Sequence, residues 1–135
     1  MAIDWAIDRI GARITVTAAG AVRGPELIAM IGSLAADPDF RPELDQLVDL
    51  SAACLDDLTT PFVHQLVRGQ ALGQRARRAY VVGRPLEYGL VRMFEALART
   101  DEDRYGLFGT RATAEAWLDL PLETTRKPWR KWRHW

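Results

Sequence analysis

The sequence predicts an α/β fold: a mixed β-sheet of about five strands with crossover α-helices, in the order β-β-α-β-α-β-α-β-α. Three observations carry that expectation. After an opening pair of alternating segments, buried-type apolar runs alternate with segments of helical period, the pattern of a mostly parallel sheet. Proline stands where three of the helices should begin, as Pro25, Pro61 and Pro85. Its missing N–H costs nothing there, and its fixed φ is already helical. Finally, 135 residues can build one core but are too few for two ordinary domains.

Taken in order, Ile3, Trp5 and Ile7 alternate with more polar neighbours, as in a half-buried strand. Ile14, Val16 and Ala18 share one face of the next strand, with Thr15 and Thr17 on the other, and Arg9 to Gly11 can close a tight turn between the two. Gly24, Pro25 and Glu26 then suit a helix start, and Leu27, Ile28, Met30, Ile31 and Leu34 keep its period. Pro38 and Pro42 break it. QLVDLS, apolar on both faces, reads as an inner strand. Thr60 and Pro61 open a second helix with a buried stripe of Phe62, Val63, Leu66 and Val67. RAYVVG is a third buried-type strand, and Pro85 starts a helix with Leu86, Leu90, Met93, Phe94 and Leu97 along one side. RYGLFG makes a short last strand, and RATAEAWLDL a last helix anchored by Trp117 and Leu118.

Composition narrows the function classes. Apolar residues make up 48% and charged residues 27%, which is globular rather than disordered. The net charge of zero gives no bulk field for nucleic acid or anionic membrane. A single cysteine, Cys54, excludes an internal disulfide framework and suits a reducing compartment. Acids occupy the start, MAIDWAIDRIG, where a signal peptide would be basic and then apolar. The longest uncharged run of the body, LIAMIGSLAA, is about half a membrane span. A cytoplasmic protein is the expectation. Residues 1–121 form the expected domain and 122–135 a basic, Trp-rich tail. Arg126, Lys127, Arg130, Lys131 and Arg133 place five cations in the last ten residues, so the rest of a neutral chain carries −5.

The stretch LVDLSAACLDDLTTP, residues 47 to 61, concentrates the candidate chemistry. A helix starting near Thr60 exposes unpaired N–H groups and a partial positive charge, which Thr59 or Thr60 can cap and Asp57 can favour. The same turn could accept a phosphate or dock a partner, although Asp56 and Asp57 would repel a phosphate's charge of roughly −2. Asp49, Asp56, Asp57 and His64 form only a partial ligand set for a hard cation. Cys54 and His64 are the one nucleophile–base pairing, in apolar or acidic surroundings that do not favour a thiolate. No nucleophile elbow, phosphate loop or dinucleotide fingerprint is present, and the residues call for no cofactor or metal.

At LVDLSAACLDDLTT the chain resembles the STAS domain, the fold of bacterial anti-sigma-factor antagonists. That family's strand ends in Asp-Leu-Ser, and an apolar turn leads to an Asp-Ser-Ser-Gly helix start. Asp49, Leu50 and Ser51 match the strand end, Leu55 the apolar turn and Asp57 the motif aspartate. Thr59 falls on the serine that partner kinases phosphorylate, whereas Leu58 and Thr60 depart from the family's first serine and glycine. DPDFRPELDQLVDLS, RRAYVVG, GLVRMFEAL and AEAWL are similar to the SpoIIAA-like branch, whose members carry STAS or lipid-binding-type descriptions. The resemblance spans roughly residues 3 to 119 and implies a non-enzymatic regulatory module.

Two readings of function follow. The first is a protein-interaction module that binds a partner, or its own copy as a homodimer, through Ser51, Asp57, Thr59 and Thr60. The second is a carrier of a lipid or other apolar small molecule. Arg75, Arg77 and Arg78 form a candidate anion patch, with ion pairs to the acidic body as the plain alternative. Trp129, Arg130, Trp132 and Trp135 suit an anionic membrane surface or the chain's own acidic body. Five cations alone would bind nucleic acid weakly and without specificity, which argues against that partner.

Overall fold

The computed structural model describes residues 2–68 and 76–121. β1 (Ile3–Asp8) and β2 (Arg13–Ala21) are followed by α1 (Gly24–Ala35), β3 (Asp45–Cys54), α2 (Thr60–Arg68) and β4 (Arg78–Val82). α3 (Pro85–Leu97), β5 (Tyr105–Phe108) and α4 (Arg111–Asp119) complete the chain. The element order is the one expected from the sequence.

The sheet runs β1-β2-β3-β4-β5, with β1 antiparallel to β2 and every later pair parallel. Because the three crossovers step in one direction with one hand, α1, α2 and α3 fall on the same face. α4 follows the last strand and packs on the other face, against β3, β4 and β5. Residue alternation then divides the core in two. Ile14, Val16, Leu50 and Tyr80 face Met30, Leu34 and Val91 in the larger cluster. Leu47, Ala79 and Val81 point the other way, toward Ala114 and Leu118.

Local chemistry sets the element ends. Asp8 pairs with Arg13, so the hairpin turn holds Arg9 to Ala12, one residue more than expected. The Asp8 carboxylate accepts the Ile10 and Gly11 N–H groups, and Ala12 takes a φ of 53°. α1 starts with Glu26 reaching back to the Arg23 N–H at 3.1 Å, half of a capping box. A Cβ at Gly24 would run into the Phe62 ring, so only glycine lets α2 lie over the start of α1.

α3 departs from expectation. Its inward face is Glu87, Val91 and Glu95, spaced four apart, while Leu86 is 44% exposed and Leu90, Met93, Phe94 and Leu97 lie at the flanks. The apolar stripe is therefore rotated toward the helix edges. Two buried carboxylates hold the centre, because each finds charged and hydrogen-bonding partners there.

Candidate functional site

The turn between β3 and α2 stands at the carboxyl end of the central strand, the edge where open parallel sheets bind ligands. Leu58 N–H donates to the Leu55 carbonyl and closes it. Thr59 is the cap: its Oγ1 accepts the Phe62 N–H at 3.3 Å and its carbonyl accepts the Val63 N–H at 3.0 Å. Asp57, Thr59, Thr60 and His64 are all exposed, and Asp57 has no partner among the described residues. Ser51 is also exposed, but its polar groups are turned to Asp49. Its hydroxyl and N–H both donate to Asp49 Oδ1, at 2.6 and 3.0 Å. The other Asp49 oxygen lies 3.8 Å from Arg111 of α4.

The turn is held from α3 by residues that the pattern of the sequence did not single out for this role. Glu87 is 0% exposed, and its Oε2 accepts the Leu55 N–H at 3.0 Å. Arg84 clamps Glu87 through two hydrogen bonds, at 2.6 and 2.7 Å, and reaches Asp56 at 2.8 Å. The Arg84 hydrogen bonds hold the Glu87 carboxyl below its ordinary range, and Glu87 and Asp56 in turn raise the guanidinium. The carboxylates that could have formed a cation site are thus committed elsewhere, Asp49 to Ser51 and Asp56 to Arg84. No group of three or more His, Cys, Asp or Glu able to hold a metal occurs among the described residues. Cys54 is half-buried rather than buried, and it is a free thiol. The spacing of Glu87, Val91 and Glu95 was the available signal for the inward acids.

Between the sheet and α1, α2 and α3 lies a cavity of about 130 Å³, lined almost entirely by hydrocarbon. Val16, Ala18 and Val48 of the sheet form its floor, Met30 and Leu34 one wall, and Leu66, Val91 and Phe94 the other. Leu55 and Leu58 of the turn also line it. The same five-residue turn therefore presents leucines inward and Asp57 and Thr59 outward. Among the described residues, polar side chains enter the lining only at Gln46, Arg78 and Tyr80.

Arg77 and Arg78, two of the three arginines expected as an anion patch, are buried. Arg78 is 2% exposed and binds Glu95 in a two-pronged pair, both contacts at 2.8 Å. Tyr80 Oη and Thr100 Oγ1 donate to the same carboxylate, each at 2.8 Å. Burial, with the neighbouring Glu95 charge, pushes the Tyr80 phenol well above its ordinary range. Arg77 is 7% exposed and ends α4. Its guanidinium donates to the Leu118 and Leu120 carbonyls at 2.9 and 2.6 Å and to Asp45 at 2.7 Å. Carbonyls at a helix end carry partial negative charge and lack partners, so a cation is favoured there. Arg77 and Arg78 are structural for these reasons. Arg75 and the tail residues Trp129, Arg130, Trp132 and Trp135 lie outside the described residues. No helix among the described residues is long and apolar enough to cross a membrane.

Comparison with known proteins bears on the fold. No family model matches the sequence, and no curated protein matches it. Among solved structures, the chain is similar to an uncharacterized protein of the DUF3478 family from Shewanella loihica PV-4, described as having a SpoIIAA-like fold. The match has a TM-score of 0.56 at 17% identity and covers 86% of this chain and 93% of the other. Topology and comparison agree: the chain has a SpoIIAA-like fold.

Proposed function

We propose that the chain is a non-enzymatic, STAS-like binding module whose ligand is a small apolar molecule held between the sheet and α1, α2 and α3. The hydrocarbon-lined cavity of about 130 Å³ carries this reading. Native cores contain few voids larger than a water molecule, and apolar cavities of about 150 Å³ stay dry and bind benzene. The volume sets the ligand class. Typical drug-sized pockets are about 300–1,000 Å³, so a ring or short chain is enough to fill this one. Titration with toluene, followed by the methyl NMR signals of Val48, Val91 and Leu55, is expected to shift those signals saturably. It should also raise the thermal midpoint, since a ligand of the native state alone stabilises by mass action. Unchanged methyl signals at saturating toluene would remove this reading.

A second reading has its own support in the exposed Asp57 carboxylate, without a partner among the described residues, beside Thr59 and Thr60. Polar groups held on a fixed turn above a parallel sheet make a docking face for a protein partner or a second copy of the chain. Self-association is the accessible test. Native mass spectrometry is expected to give dimer for the full chain and monomer for Asp57→Lys, and the same distribution for both would count against the face.

A further inference from the structure

Gln46 is the one residue of the cavity lining whose polar group is unaccounted for. It is 2% exposed, and its amide Nε2 has no hydrogen-bond partner among the described residues. The register explains its place. Gln46 lies opposite Arg78 on β4, two residues from the Val48–Tyr80 pair, so these side chains share the face that carries the cavity. Arg78 and Tyr80 are both bound to Glu95, whereas the Gln46 amide is left with a donor and no acceptor. An amide donor withdrawn from water without a partner is among the costlier defects of a core, and native structures keep few of them. Gln46 is itself part of the lining of a cavity able to hold a small molecule.

From this juxtaposition, and resting on the reading of the cavity as a ligand site, we infer that Gln46 is a polar subsite. The ligand it selects is a small, neutral, mostly hydrocarbon molecule with one acceptor oxygen, such as a ketone, aldehyde or ester. Size and charge both restrict the class. A void of this volume accepts about six or seven non-hydrogen atoms, judged from benzene in a slightly larger cavity. Neutrality follows from the neighbours. The Arg78 charge is matched by Glu95 in a buried two-pronged pair, so the described lining has no spare cation for a carboxylate. A ligand anion would add an unpaired charge to a hydrocarbon-lined space. A carbonyl oxygen brings an acceptor for Nε2 without that burden. Arg78 and Tyr80 act here as positioning residues, because they fix the polar end of the cavity while remaining bound to Glu95.

Three probes of about the same size separate the possibilities: cyclohexanone, methylenecyclohexane, which replaces the oxygen by CH₂, and pentanoate. Each is titrated into the full chain and into Gln46→Leu, with NMR detection that includes the Gln46 side-chain NH₂ pair. Cyclohexanone is expected to bind and to shift that pair, and Gln46→Leu is expected to weaken it by about tenfold. Methylenecyclohexane should bind without moving the NH₂ pair and should be unaffected, or tightened, by the substitution. Pentanoate should bind far more weakly than the ketone. Equal changes for ketone and hydrocarbon in Gln46→Leu would overturn the subsite while leaving the cavity reading intact. Pentanoate binding as tight as the ketone would overturn the restriction to neutral ligands, and no binding by any probe would overturn the subsite and the cavity together. The substitution replaces an unpaired amide by a side chain of similar size, so Gln46→Leu is expected to fold with an unchanged or higher thermal midpoint.

Discussion

At the scale of single residues, Glu87 decides the shape of the candidate site. Its carboxylate is buried and accepts the Leu55 N–H, with Arg84 supplying the counter-charge. The Arg84 hydrogen bonds set the folded-state value below the ordinary 4.5. The native state therefore binds the proton less readily than the unfolded chain does. That contribution to stability is complete above 4.5 and is lost as pH falls through the lower folded value. An acid titration of thermal stability is expected to show a decline that begins below the normal carboxylate range. Glu87→Gln keeps an acceptor for Leu55 and removes the charge. It should lower the midpoint by several degrees at neutral pH and flatten the acid limb, with the loss discounted for the exposed side of Arg84. An acid limb identical in both proteins would show that the latch contributes nothing. Accompanying changes in the Asp56 to Thr60 amide signals would show that the latch shapes the turn.

At the scale of elements, the sequence was legible where one physical signal acted alone. The alternation of Ile3, Trp5 and Ile7, the doubly apolar QLVDLS and the prolines at helix starts each have a single cause, and each element formed where that cause put it. A threonine cap, Thr59 or Thr60, was legible for the same reason, and Thr59 is the one that accepts the Phe62 N–H. α3 was misread because two signals competed. Its leucines and Phe94 keep helical period, yet its inward face contains Glu87 and Glu95, whose burial depends on Arg84, Arg78 and Tyr80. Those partners come from another strand and from a loop, and periodicity along one helix contains no information about them. Arg77 and Arg78 failed in the mirror sense. As letters they are surface cations, and only the end of α4 and the α3 carboxylate make their burial favourable. QLVDLS marks Gln46 as part of an inner strand, and nothing in it shows that the amide lacks a partner among the described residues.

At the scale of the whole molecule, the cavity follows from how the layers are filled. α1, α2 and α3 share one face of a five-stranded sheet, while among the described residues α4 covers part of the other. On the crowded face the floor includes small residues, Val16, Ala18 and Val48, and the central face of α3 gives two of its positions to glutamates. Glu95 is drawn to Arg78 and Glu87 to the turn, so Val91 is left to meet the floor between them, and it is too short to fill the space. Fully enclosed, a void of this size would cost about 3 kcal/mol at ~24 cal/mol per Å³, and the cost is smaller here because the cavity is partly open to solvent. A fold selected only for stability would have closed it, since filling substitutions are readily found. Val91→Phe places added carbon where the void is. If the space is an adaptable ligand cavity, this substitution should raise the thermal midpoint by about 3 °C or more and abolish the toluene-induced shifts. If the helices instead rest against the sheet in solution with no space between them, the larger side chain must force them apart, and overpacking costs about 1–3 kcal/mol. The sign of the change in midpoint therefore distinguishes a hollow interface from a closed one, and a fall in the midpoint would remove the physical basis of the ligand site.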